Sequence, residues 1–460
     1  MQVVSPREPF DAVVVGSGAT GGWAAKKLTA AGMRVALLEA GGKVTPNDFT
    51  EHTPTWRMPY LGYSPEIARS RPIQSLCYAC RETNYKWFVD DHENPYIQAK
   101  PFTWIRMRVL GGRSLSWGRQ SYRLSDLDFK AASRDGYGDD WPISYDELAP
   151  YYEEVERYVG ISGTAENLPQ LPDSIFQPGM ALTCAEESFK RAIADKMGRV
   201  MTIGRAAVLT KPLNGRNACH YCGPCEQGCR TFSYFSSPFT TIKDAQATGH
   251  LTLITDAVCS HIIARNGKAV GIGYIDKTSK ASREVRARIV VLCASTLEST
   301  RLMLNSGVGG ESGVLGHYLM DHIYGGSVAG IMPDKPINAW AGPPLRPNGT
   351  YIPRFRNVKE SMTNGYIRGY AYQGGASPQF QFGAPGIGAD FKAAVRQSPW
   401  VMSMIGFGEC LARKENQVQI DPGKVDAWGI PVLQISAERS DNDFKLYNDA
   451  MDQGVEMKSI

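Results

Sequence analysis

Four cysteines fall within eleven consecutive residues, Cys219, Cys222, Cys225 and Cys229, at the spacing C-x2-C-x2-C-x3-C. Tight turns at that spacing aim several thiolates at one point, the chemistry of a metal centre and the spacing of a bacterial ferredoxin run. In ferredoxins the fourth cysteine precedes proline and ligates a second cluster, whereas Cys229 precedes Arg230 and no second four-cysteine run exists. One iron-sulfur cluster is therefore the expected count. Four thiolates make a [4Fe-4S] centre and three a [3Fe-4S] centre, and a remote Cys77 or Cys80 is a further candidate ligand. Zinc is the competing ion, because a tetrahedral four-thiolate site would stiffen the loop and move no electrons. The pair Cys77-x2-Cys80 stays open between a redox pair, extra ligands and two ordinary thiols. Cys184, Cys259, Cys293 and Cys410 are isolated and read as small buried hydrophobes. Ten cysteines in 460 residues are too few for a disulfide scaffold.

A second constellation suits a pyrophosphate. Phe10-Asp11-Ala12-Val13-Val14-Val15 reads as a buried parallel strand, Gly16-Ser17-Gly18-Ala19-Thr20-Gly21 follows directly, and Gly22 to Ala31 reads as a helix. In that order Gly16 permits the tight turn, Gly18 lets the backbone approach a phosphate, and Gly21 lets helix and strand pack, with the helix N-terminus facing the anion. Arg34 to Leu38 forms a second strand ending at Glu39, whose carboxylate stands where it can accept hydrogen bonds from ribose hydroxyls. NAD and FAD folds share this motif, so it does not choose the dinucleotide.

The choice comes from further along the chain. Arg108-Val109-Leu110-Gly111-Gly112-Arg113-Ser114-Leu115-Ser116-Trp117-Gly118 resembles the second flavin-contacting segment of the glucose-methanol-choline (GMC) oxidoreductases. Asp140-Trp141-Pro142-Ile143 leading into Tyr145 to Tyr158, Ala294 to Ser299 after a strand, and Gly316-His317-Tyr318-Leu319-Met320-Asp321-His322 resemble the same family. The resemblance implies FAD, with Gly16, Gly18, Thr20, Gly21, Glu39, Gly111, Gly112, Ser114, Trp117, Val258 and Ala294 as its contacts. Relatives that attach the flavin covalently carry a histidine where Ser116 stands, so the expected attachment is non-covalent.

The same resemblance implies hydride transfer from a CH-OH group to flavin N5 while a histidine removes the hydroxyl proton. In the family that base sits near the C-terminus. None of His52, His92, His220, His250, His261, His317 and His322 lies in such a context, so the expectation is a chain that ends before its base, with no catalytic residue up to Ile460. The expected function is a sugar or glycoside dehydrogenase passing electrons through the cluster to a cytochrome c-type acceptor, with a small partner subunit, an arrangement similar to some GMC sugar dehydrogenases. The alternatives are a GMC alcohol or sugar oxidase with a structural zinc site and a non-catalytic fragment.

These parts need a scaffold. A chain of 460 residues, 43% hydrophobic, fills two cores. The expected fold is α/β: a Rossmann-like FAD-binding domain (1–130 and 249–330), a bridging region with the cysteine run (131–248), and a substrate domain on an antiparallel sheet (331–440). That sheet is read from alternation such as Tyr366 to Tyr372 and Gln417 to Ile420. Residues 441–460 read as a helix at an incomplete end. Lysine and arginine number 50 against 46 acidic residues, without a long run of one sign, so nucleic acid is not an expected partner. Apolar runs such as Ile289 to Cys293 are far short of the roughly 20 residues needed to cross a bilayer. The first ten residues contain neither a twin arginine nor an apolar h-region, so the chain is expected to stay in the cytoplasm unless a signal-bearing subunit exports it.

Overall fold

The computed structural model describes residues 8–54, 57–332, 346–379, 385–396 and 399–460. The chain divides into two compact units, one of residues 1–117, 224–319 and 413–438, the other of 118–223, 320–412 and 439–460.

The first unit is built on a six-stranded sheet. At its centre β1 (Phe10–Val15) pairs in parallel with β2 (Val35–Leu38) on one side and with Ser282–Leu292 on the other. Val13 and Val14 are fully buried, as a strand covered on both faces requires, and this explains why it reads as a continuous apolar run. Leu251–Ile254 extends the sheet beside β2, and the hairpin Ala257–Arg265 and Lys268–Asp276 extends it beyond Ser282–Leu292. The helix α1 (Ala19–Ala30) crosses from β1 to β2. Its packing against Thr241–Ala247 depends on Gly22, where a Cβ would meet Thr241 Oγ1 at 2.5 Å.

The strands Gln417–Val425 and Pro431–Ser436 also belong to the first unit, where they pair with each other and with Ile97–Gln98. Arg301 fastens this hairpin: its guanidinium donates to the Pro431 carbonyl at 2.8 Å, the Ile430 carbonyl at 2.9 Å and Asp426 at 2.9 Å. The alternation of Gln417 to Ile420 thus marks a strand, but one outside the larger antiparallel sheet.

That larger sheet forms the second unit, in the order His322–Met332, Trp400–Glu409, Tyr370–Pro378, Thr350–Ile352, Thr202–Ile203. Along Trp400–Glu409 every second residue is buried, so Trp400, Met402 and Met404 join one core with Leu446 and Met457 of the helix Asp441–Lys458. Asp449 on that helix accepts hydrogen bonds from Tyr366 at 2.7 Å, Tyr370 at 2.5 Å and Arg356 at 3.0 Å. Helices Tyr145–Val159 and Asp441–Lys458 each begin in a capping box, through Ser144 with Glu147 and Ser440 with Asp443. No described helix is long and apolar enough to cross a membrane.

Candidate cofactor site

The glycine turn at the end of β1 is held by sterics. Gly16 adopts φ +95°, and a Cβ there would lie 2.5 Å from the Cys293 carbonyl oxygen. At Gly21 a Cβ would lie 1.9 Å from the Gly16 carbonyl oxygen. Gly18 differs, because a Cβ there would meet nothing within 4 Å, and the space it faces is a cavity. Gly18 is also the N-cap of α1 and offers no side-chain cap, so the first N–H groups of the helix stay available to an anion.

The cavity has a volume of about 430 Å³ and lies within the first unit. Gly16, Gly18, Thr20, Glu39, Gly112, Ser114, Trp117, Val258 and Ala294 all line it. Of the expected contacts only Gly21 and Gly111 lie outside the wall, and both sit at packing points; a Cβ on Gly111 would meet Pro238 at 2.4 Å. Ser116, fully enclosed, donates to Met107 Sδ at 2.9 Å and is not part of the wall.

Two buried serines tie the glycine segments together. The Ser17 hydroxyl donates to Glu39 and accepts from the Gly111 N–H at 2.8 Å. Ser237 donates to the Ser17 carbonyl at 2.7 Å, and its N–H donates to Ser114 Oγ at 3.1 Å. Glu39 further accepts from the Gly41 N–H at 2.8 Å. Burial pushes the Glu39 carboxyl up, against the pull of these hydrogen bonds.

The same cavity also has a charged wall that local sequence patterns do not announce. Burial would raise the Glu298 carboxyl, yet Arg108 at 3.1 Å, with Arg301 and Arg106 behind it, holds it at about 2. Arg106 is only 7% exposed and burial lowers it to about 10. One of its nitrogens donates to the Asn94 carbonyl at 2.6 Å, while its Nε has no hydrogen-bond partner. A cationic donor without a hydrogen-bond partner in the wall of the cavity fits a bound group with acceptor oxygens. Ser295, also in the wall, holds φ +71° at the N-terminus of the helix Thr296–Ser306 without a side-chain cap.

Residues 10–324 match the family model for GMC oxidoreductase. This chain belongs to the GMC oxidoreductase family. It is 29% identical to the 2-methyl-1,2-propanediol dehydrogenase of Mycolicibacterium austroafricanum, over 96% of this chain and 79% of that protein. It is 27% identical to the fructose dehydrogenase large subunit of Gluconobacter japonicus, over 68% of this chain and 58% of the relative. Among solved structures, pyridoxine 4-oxidase from Mesorbium loti shares the fold with a TM-score of 0.60 at 18% identity, covering 97% of this chain and 80% of that one. GMC oxidoreductases bind FAD, and the cavity presents the glycines, acidic residue and cationic donors that such a dinucleotide needs.

The other chemistry-bearing residues of this GMC chain lie elsewhere. None of the described histidines lines the cavity. His322 pairs with Asp321 at 2.7 Å and stacks on Phe407 in the second unit; His317 bonds the Lys414 carbonyl at 2.9 Å, and His92 the Arg69 carbonyl at 3.1 Å. The cysteine run is divided by the boundary between units, with Cys219 and Cys222 in one and Cys225 and Cys229 in the other. Two of the sulfurs already accept backbone N–H groups, Cys219 from Tyr221 at 3.4 Å and Cys229 from Ser233 at 3.3 Å, the type of contact that stabilises sulfur-bound charge.

Proposed function

We propose that this GMC oxidoreductase is a FAD-dependent dehydrogenase of vicinal diols, sugars or glycosides, and that it delivers electrons to a one-electron carrier of the cytochrome c type through an iron-sulfur cluster on Cys219, Cys222, Cys225 and Cys229. The cavity supports the first part of the reading, since its glycine turn, its acidic Glu39 and Gly112 fit a dinucleotide. The names of the similar proteins support the substrate class: a propanediol dehydrogenase, a fructose dehydrogenase large subunit and a gluconate 2-dehydrogenase flavoprotein. The term large subunit also supports a partner subunit. Bound FAD would supply the acceptor for a hydride from the alcohol carbon.

The chain's own residues serve to hold and orient the dinucleotide. The α1 N-terminus and Gly18 would hold the pyrophosphate, Glu39 would accept from ribose hydroxyls, and Arg106 would offer a donor to an anionic or carbonyl oxygen. Val258 and Ala294 supply apolar wall. With Ser116 in place of a histidine the flavin is held non-covalently. The four cysteines have the residue types an iron-sulfur cluster requires, and the N–H groups on Cys219 and Cys229 suit it.

Iron, acid-labile sulfide and zinc are to be measured on anaerobically purified protein together with its EPR spectrum. The expected result is iron with sulfide and a cluster signal, and bleaching of the flavin by a diol or sugar. Stoichiometric zinc without iron, with peroxide formed in turnover, favours the second reading, an oxidase, which similarity to the paromamine 6'-oxidase of Streptomyces fradiae supports.

A further inference from the structure

Cys77 and Cys80 stand behind the wall of the cofactor cavity. They close one turn, with the Cys80 N–H donating to the Cys77 carbonyl at 2.9 Å. Such a turn keeps its end Cα atoms within about 7 Å, the reach of a disulfide. The neighbours Leu76 and Tyr78 are 70% and 59% exposed, whereas Cys77 and Cys80 are 9% and 1% exposed. The turn therefore lies at the surface with its thiols covered. Both thiols pack with Ile67, Ala79 and Phe88, and Ile105 and Met107 lie against that cluster while also lining the cavity. Arg113, which follows the paired glycines and lines the same cavity, brings Nη1 to 3.8 Å from Cys77 Sγ.

The two sulfurs are thus unequal. Arg113 Nη1 meets Cys77 Sγ, while Cys80 is the more deeply enclosed of the two, 1% exposed against 9%. One sulfur nearer the surface and one shielded sulfur across a two-residue spacer is an arrangement that suits thiol-disulfide exchange.

We propose that Cys77 and Cys80 form a reversible dithiol-disulfide couple built into the wall of the cofactor cavity, with Cys77 as the attacking and Cys80 as the resolving sulfur. Against a low-molecular-weight disulfide, Cys77 sulfur attacks one sulfur of the reagent, whose S–S bond breaks and releases one thiol. Cys80 sulfur then displaces the second thiol, so the Cys77–Cys80 bond forms. The two protein S–H protons leave on the two small thiols, and the reagent takes up the two electrons. Closure removes the free thiol that Arg113 meets, so the redox state of the pair reaches the cavity at the residue beside Gly112.

The test uses the holoprotein as isolated, equilibrated in reduced and oxidised glutathione mixtures, with remaining thiols alkylated and the peptides weighed. The expected result is an internal disulfide with the mass loss of two hydrogens, reversed by dithiothreitol, with a changed fluorescence of the bound flavin. C80S accumulates a glutathione adduct on Cys77, and C77S carries about tenfold less on Cys80, because the shielded sulfur attacks poorly. A pair that stays reduced in oxidised glutathione alone overturns the proposal. So does iron or zinc that is present in the wild type and lost in C77S, since the thiols would then be metal ligands. Should C80S fail to fold, the wild-type titration and C77S decide the matter.

Discussion

The glycine cradle and the cysteine run are both short motifs with strict spacing, yet they would be ordered by different forces. The cradle is complete without its ligand: β1, β2 and α1 are packed, Gly16 and Gly21 sit in backbone contact, and the serines Ser17 and Ser237 lock the two glycine segments together. In the cysteine run Cys219 and Cys222 belong to one unit and Cys225 and Cys229 to the other, and two of the sulfurs accept backbone N–H groups. A site made by sterics and hydrogen bonds is assembled by folding itself. A thiolate site draws its order from the metal, because unbound thiols have no attraction that brings them together.

The largest expected effect follows from the cradle. Gly21→Ala places a Cβ 1.9 Å from the Gly16 carbonyl oxygen, against backbone that cannot move aside. A loss of about 3 kcal/mol or more is expected from such overpacking, seen as a fall in Tm of the apoprotein and loss of bound FAD together. An unchanged Tm would mean that the cradle is not rigid and would dissolve the contrast with the cysteines.

Next is the charged wall. Glu298 is held near 2 in the folded chain and titrates near 4.5 as a free carboxyl. Its folded pKa is depressed, so the stabilisation is fully present above the free value and is lost as pH falls from about 5 toward 2. The linked free energy is on the order of 3 kcal/mol. Glu298→Gln should destabilise the protein at neutral pH, because Arg108 loses its carboxylate partner while Arg301 keeps only Asp426. It should also flatten the Tm profile between pH 5 and 2. A variant whose profile keeps the wild-type slope there would show that another carboxylate carries it.

How much of this was legible in the sequence depends on how local each constraint is. Gly16, Gly18 and Gly21 announce themselves because the strand, turn and helix that need them are consecutive, and Glu39 follows at a fixed remove. Gly112 and Trp117 became legible only through family resemblance. Arg106, Ser237 and Glu298 gave no signal, because their partners are brought in by the fold: Glu298 meets Arg108 across 190 residues of chain. The alternation of Gln417 to Ile420 was read as a strand and grouped with 331–440, but alternation does not say which sheet a strand joins. That was decided by Arg301 and by pairing with Ile97–Gln98. What Ser116 says about covalency rests on the resemblance alone, and the fold turns its hydroxyl to Met107 Sδ outside the cavity wall.

The cysteine run sharpens the comparison from the other side. Cys222→Ser should lower iron content at least about twofold, since one missing thiolate weakens a cluster strongly. FAD content should stay within error, because Cys222 belongs to the unit that does not hold the cavity. Iron and flavin assayed on the same preparation check this. Loss of both together would show that the metal site supports the cradle, and the two would no longer be independent.

The smallest effect on stability, and the most specific on binding, is expected at Gly18. A Cβ there would meet nothing within 4 Å, and the residue already has a negative φ of −61°. Gly18→Ala should therefore leave the Tm of the apoprotein within about 0.5 kcal/mol equivalent of wild type. The same methyl projects into the space a pyrophosphate needs, so FAD affinity should weaken by about tenfold or more, near 1.4 kcal/mol. Flavin fluorescence quenching on titrating the apoprotein measures it. Gly18 and Gly21 are three residues apart in one turn, yet one is kept for the ligand and the other for the fold. A Gly18→Ala protein that loses stability but binds FAD normally would invert those roles.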